Sequence, residues 1–134
     1  MATLRNLPAL VRKKFSSAQQ QGDLTFYATQ VCILQCRGLP FQLRFSPSLA
    51  NKPKSNKTKA ASSKPFDPFE DPPACLYIMS LPPSHFIVLN KFPVIPDHFI
   101  LATKDFKQQT KLLEKDDLEA AYACLRAYRD DGEE

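Results

Sequence analysis

The sequence has no tryptophan, only two histidines and only three glycines in 134 residues. The glycines, Gly22, Gly38 and Gly132, are far apart, so no glycine-rich loop can cradle a phosphate and no Gly-x-Ser-x-Gly elbow can present a nucleophile. The histidines, His85 and His98, lie thirteen residues apart, and neither a His-x-His nor a His-Glu-x-x-His is present. Cys32, Cys36, Cys75 and Cys124 contain no Cys-x-x-Cys pair, which removes the usual spacing for zinc. Four thiols without a framework spacing fit a reducing compartment. No apolar run approaches the roughly 20 residues that cross a bilayer, and the N-terminus has no signal-peptide core. A cytoplasmic location is expected, with the nucleus as a second site and no membrane partner. Arg5, Arg12, Lys13 and Lys14, with no acid before Asp23, also suit a presequence.

Proline is abundant instead, at twelve residues, which implies stiff connections. The formal charge of +4 is local. Lys52, Lys54, Lys57, Lys59 and Lys64 occupy one acid-free tract, and without them the charge would be −1. Basic character confined to one loop gives no reason to expect nucleic acid as a partner. Low hydrophobicity marks Pro47–Pro73 as a long loop whose residues 51–66 are expected to be flexible. Phe66 and Phe69 are expected to tuck back against the body.

The remaining stretches alternate between helix and strand patterns. Leu4, Leu7, Val11, Phe15 and Ala18 form one helical stripe, with Pro8 in its first turn and Gly22 as its stop. Thr25–Leu34 is expected to contain a strand. Phe41–Phe45 alternates strictly and predicts a half-buried strand with Gln42 and Arg44 outward. A turn at Arg37–Pro40 makes the two antiparallel, with Cys32 and Cys36 on one face as small buried thiols. Cys75–Met79 predicts a further strand. Leu118, Ala121, Tyr122, Leu125 and Tyr128 give the apolar stripe of a second helix, ended by Gly132. Asp116 and Asp117 in its first turn suit the helix dipole. The pattern is α+β and antiparallel, one domain over residues 1–134.

The most informative stretch is HFIVLNKFPVIPDHFILATK, His85–Lys104. Phe86–Leu89 and Phe99–Ala102 read as strands. Pro93 and Pro96 deny backbone donors to the connection, so a stiff loop joins them. Asn90, Lys91 and His98 then stand at strand ends around one loop, where polar groups can meet a ligand. By residue type alone His85 is a structural histidine, because no partner base or nucleophile can be named for it.

NKFPVIPDHFILATK, followed by Phe106, Gln109-Thr110, Leu113 and the Leu118–Leu125 helix, resembles the N-terminal half of the fungal-type diadenosine tetraphosphate phosphorylases. These are also called ATP adenylyltransferases. Pro47–Pro53, PSLANKP, resembles a stretch of the same family, and the opening helix and Gly22–Phe26 also fit. Glu114-Lys115-Asp116 departs from the family's Thr-Pro-acid helix start. The family belongs to the histidine-triad superfamily, so the resemblance implies a HIT-like fold, a partial antiparallel sheet with flanking helices.

Within that resemblance Asn90 holds the ribose, and His98, eight residues on, stands behind the catalytic histidine and orients it. Phe86, Val88 and Leu89 line or back the adenine pocket, and Lys91 and Lys52 meet the polyphosphate. The implied reaction is phosphorolysis of diadenosine tetraphosphate to ATP and ADP through a nucleotidyl-histidine, with inorganic phosphate as second substrate. No cofactor is required beyond a divalent cation such as Mg²⁺ accompanying the nucleotide. The nucleophile belongs to a His-x-His-x-Gln motif that this chain does not contain. The chain is therefore expected to be the nucleotide-binding N-terminal part of such an enzyme, inactive alone and lacking its C-terminal half. The alternative is a non-catalytic HIT-like scaffold that uses its lysine-rich loop for an anionic partner.

Overall fold

The computed structural model describes residues 4–48 and 67–131. Lys52, Phe66, Gly132 and the expected loop at 51–66 lie outside the described residues. The first helix, α1, spans Leu7–Gln21 after a short 3-10 turn at Leu4–Asn6. Leu7, Val11, Phe15 and Ala18 are buried on its inner side, as the periodicity predicts. Gly22 ends it at φ 77°, and a Schellman motif closes it: Asp23 N–H donates to Ala18 O at 2.9 Å and Gly22 N–H to Gln19 O at 3.2 Å.

Two antiparallel sheets follow. Strands β1 (Gln30–Cys36) and β2 (Leu39–Phe45) form a hairpin, and β3 (Tyr77–Leu81), β4 (His85–Leu89) and β5 (Phe99–Thr103) form a three-stranded sheet in the order β3-β4-β5. Arg37 and Gly38 make the first turn at φ 50° and 77°, the left-handed pair that a two-residue hairpin of matching twist requires. β3 begins at Tyr77 rather than at Cys75, because Leu76 and Tyr77 N–H both bond Pro73 O in a preceding turn. Helix α2 spans Lys115–Asp131.

α2 packs against α1 and the Leu4–Asn6 turn, α1 reaches β3, and α2 touches one face of the three-stranded sheet at two places. Phe99 stacks on Tyr128 at 5.9 Å between ring centroids, and His85 reaches Asp117. In the β4–β5 register this face carries His85, Ile87 and Leu89 opposite Thr103, Leu101 and Phe99. The other face carries Phe86, Val88 and, one pair beyond the strands, Asn90 with His98. All five residues of β4 are buried, as a central strand between two paired neighbours should be.

Two packing expectations for the hairpin do not hold. Phe41, Leu43 and Phe45 are 53–60% exposed, and Cys32 and Cys36 are exposed, so the hairpin is not half-buried. Alternation fixed which side chains share a face; it did not supply a surface to cover them. On α2 the large stripe is outward, with Leu118, Tyr122 and Leu125 at 57–69% exposure. Ala120, Cys124 and Ala127 face inward instead, at 6–9%. Small side chains let the helix approach the core closely, a choice that hydrophobic size alone predicts wrongly.

Candidate functional site

The loop from Asn90 to His98 is held at its mouth and along one side. Asn90 N–H donates to His98 O at 3.0 Å, extending the β4–β5 ladder by one pair and setting the two residues side by side. Asn90 Oδ1 accepts Phe92 N–H at 2.9 Å, an Asx turn that bends the chain as β4 ends. The extended segment before β1 runs alongside. Thr25 N–H bonds Lys91 O and Tyr27 N–H bonds Pro93 O, each at 2.9 Å, while Thr29 Oγ1 donates to Val94 O at 3.2 Å. Pro93 has no N–H to return, so it accepts and gives no bond back. Asp97 takes the left-handed φ of 58° that turns the chain into β5.

The predicted residues divide into three groups. Asn90, His98, Phe86 and Val88 share the sheet face away from α2. Phe86 and Val88 are 5% and 3% exposed; Phe86 borders the cavity on this face, whereas Val88 is covered and can only back a site. Leu89 lies on the opposite face at 2% exposure and can back the site without lining it. Lys91 is exposed at the loop edge, with Nζ 5.8 Å from the centroid of the Phe92 ring. Lys52 lies outside the described residues.

His98 is half-buried, and its Nδ1 is buried with no hydrogen-bond partner among the described residues. Burial lowers its pKa from the ordinary 6.5, so the ring is a neutral imidazole at pH 7. A neutral ring with one unsatisfied nitrogen can still donate to, or accept from, a group brought against it.

A cavity of about 250 Å³ opens on the sheet, lined by Phe69, Glu70, Pro72, Tyr77, Phe86 and Lys104. Tyr77 stacks on Phe86 at 5.9 Å with ring planes 19° apart, and Phe69 folds back against the core as expected. Tyr77, Glu70 and Lys104 escaped the sequence reading. Tyr77 reaches this place through its pairing with Val88 across the bulge in β3–β4, which no local pattern announces.

His85 is structural. Its ring is 4% exposed, and Nε2 hydrogen-bonds Asp117 Oδ1 at 2.8 Å, tying the start of β4 to the first turn of α2. Asp117 Oδ2 also accepts Glu114 N–H at 2.8 Å, which caps the helix despite its unusual start. These contacts, the Glu114 N–H first and the His85 ring second, hold the Asp117 carboxyl below its ordinary pKa. Among the described residues no group of three imidazole, thiol or carboxylate side chains is placed to hold a metal ion.

Comparison with known proteins agrees with this architecture. Diadenosine 5',5'''-P1,P4-tetraphosphate phosphorylase 2 of Saccharomyces cerevisiae is 34% identical over 131 residues, covering 94% of this chain and 40% of its own. Protein APA1 of the same yeast is 30% identical over 134 residues, covering 95% and 40%. The chain thus spans about 40% of the length of these curated relatives. The crystal structure of yeast Ap4A phosphorylase Apa2 in complex with Ap4A superposes with a TM-score of 0.76 at 30% identity, over 96% of this chain and 41% of that one. The complex of Apa2 with AMP gives 0.75 at 29% identity, over 92% and 39%. The family described as the Ap4A phosphorylase N-terminal domain matches residues 2–131. With nearly the whole chain matched, the protein belongs to the Ap4A phosphorylase N-terminal domain family.

Proposed function

We propose that this chain is the nucleotide-binding N-terminal part of an ATP adenylyltransferase of the diadenosine tetraphosphate phosphorylase type. The observation that carries this reading is the pairing of Asn90 with His98 at the mouth of the proline-stiffened loop. The pair stands on the sheet face away from α2, which it shares with Phe86 and Val88. The Asn90 amide would hold the ribose. Its Nδ2 can donate to a hydroxyl while Oδ1 keeps the turn, so binding need not cost the loop its shape. The base would lie against Phe86 at the cavity wall, with Val88 and Leu89 behind, and the phosphates towards Lys91 and Lys52. Lys91 supplies a compact cation that the loop fixes through its carbonyl rather than through its side chain.

The family reaction is covalent transfer: a histidine attacks the α-phosphorus, the remaining polyphosphate leaves, and inorganic phosphate then takes the nucleotide. This chain has no His-x-His to perform the attack. Its own share would be to bind, to orient, and to hold the His98 imidazole neutral next to the incoming histidine. A divalent cation accompanying the polyphosphate belongs to the same proposal. The structural relatives whose complexes contain AMP and Ap4A support a nucleotide as the ligand class.

Titration calorimetry of the chain with AMP and Ap4A tests the site. Asn90→Ala should weaken binding about tenfold, the effect of one or two hydrogen bonds. Asn90→Asp keeps the acceptor that the turn needs and should bind more tightly than the alanine variant. Equal affinity in the parent and Asn90→Ala would remove Asn90 from the site.

A further inference from the structure

The β1–β2 hairpin is a ribbon with one wholly uncharged face. Its register sets Gln30 opposite Phe45, Cys32 opposite Leu43, Leu34 opposite Phe41, and Cys36 opposite Leu39. The other face is mixed: Val31 and Ile33 share it with Gln35, Gln42 and Arg44. Every residue of both strands is exposed, with Leu34 at 49%, Phe41 and Leu43 at 53%, and Leu39 at 61%. A two-stranded ribbon alone in water is marginal. A contiguous apolar face with five large side chains marks a contact surface.

The ribbon is tied down at its root. Arg44 Nη1 donates to Thr29 Oγ1 at 3.0 Å, and Ser46 Oγ to Ala28 O at 3.1 Å. Thr29 in turn bonds the carbonyl of Val94, inside the loop that Asn90 opens. Arg44, on the ribbon's mixed face, thus ties the hairpin through Thr29 to the candidate nucleotide loop.

The comparisons indicate the occupant. In yeast Apa2 the region matching 92–96% of this chain makes up 39–41% of the structure, and it is the N-terminal domain of its family. About three-fifths of the yeast chain therefore lies outside the match. We propose that the face formed by Cys32, Leu34, Cys36, Leu39, Phe41, Leu43 and Phe45 is the seat of the polypeptide that follows this domain in phosphorylases of the family. An uncharged face excludes a partner held by ion pairs and requires apolar burial. This inference rests on the chain being the first part of a phosphorylase, and not on which residues hold the nucleotide.

The test joins the full 134-residue chain to the part of yeast phosphorylase 2 that lies beyond the match. Alkylation of Cys32 and Cys36 is then timed by peptide mass in the joined and separate chains. Both thiols should react readily in the separate chain and at least tenfold more slowly in the joined one. Leu43→Asp in the joined chain should restore the fast rate. Equal rates in the two chains would overturn the proposal, as would a joined chain that does not unfold cooperatively. Protection in the separate chain that grows with concentration, with a dimer in sedimentation, would also overturn it and assign the face to a second copy. AMP titration of the same joined chain reads the nucleotide site independently: thiol protection without AMP binding would sink the functional reading and leave the seat intact.

Discussion

β4 and β2 are built from similar material and end in opposite surroundings. HFIVL is buried at all five positions, whereas LPFQLRF is exposed at all seven. β4 lies between two paired strands with α2 on one face and the Phe69–Tyr77 cavity wall on the other. β2 has one partner strand and two faces open among the described residues. Hydrophobic content therefore does not report burial; the number of elements available to pack does. The domain's stability should reside in the three-stranded sheet, and the hairpin should be close to neutral in the separate chain.

The sharpest way to break this comparison is a truncation in β4. Ile87 is fully buried, and Ile87→Ala should cost about 3 kcal/mol in urea denaturation, from lost burial plus the residual cavity. A cost below about 1 kcal/mol would show that the sheet is not the core.

A smaller effect should come from the His85–Asp117 clasp between β4 and α2. Asp117 has a folded pKa below its unfolded value, so its contribution is full at neutral pH and lost as pH falls through the carboxylate range. Asp117→Asn should flatten the acid limb of a stability–pH profile measured from pH 7 downwards. An unchanged limb would mean that the contacts to Glu114 and His85 carry no linkage.

The smallest effect belongs to the hairpin. Leu43→Ala in the separate chain should change stability by no more than about 0.5 kcal/mol, because the side chain is already half in water. A loss above about 2 kcal/mol would mean that the ribbon is covered in solution.

Much of this layout was legible beforehand. The α1 stripe, the Gly22 stop, the two strands flanking Pro93 and Pro96, and the placing of Asn90 beside His98 all follow from local rules. So does the hairpin, although its turn is the two-residue Arg37–Gly38 rather than the longer segment. The period of Leu118, Tyr122, Leu125 and Tyr128 marks the helix but not its buried side: of these only Tyr128 packs on the sheet, while Ala120, Cys124 and Ala127 fit the available space. The His85–Asp117 hydrogen bond was not legible at all. Each partner had a sufficient local explanation, and 32 residues separate them.

The sequence by itself determined periodicity, stops and the polar ends of one stiff loop, since these depend on φ restrictions and residue spacing within a few positions. Only the tertiary structure decided which apolar faces are covered. Cover depends on what packs from elsewhere: α1 and α2 in one core cluster with Ile87, Phe69 and Tyr77 near Phe86, and among the described residues no comparable layer over Phe41 and Leu43.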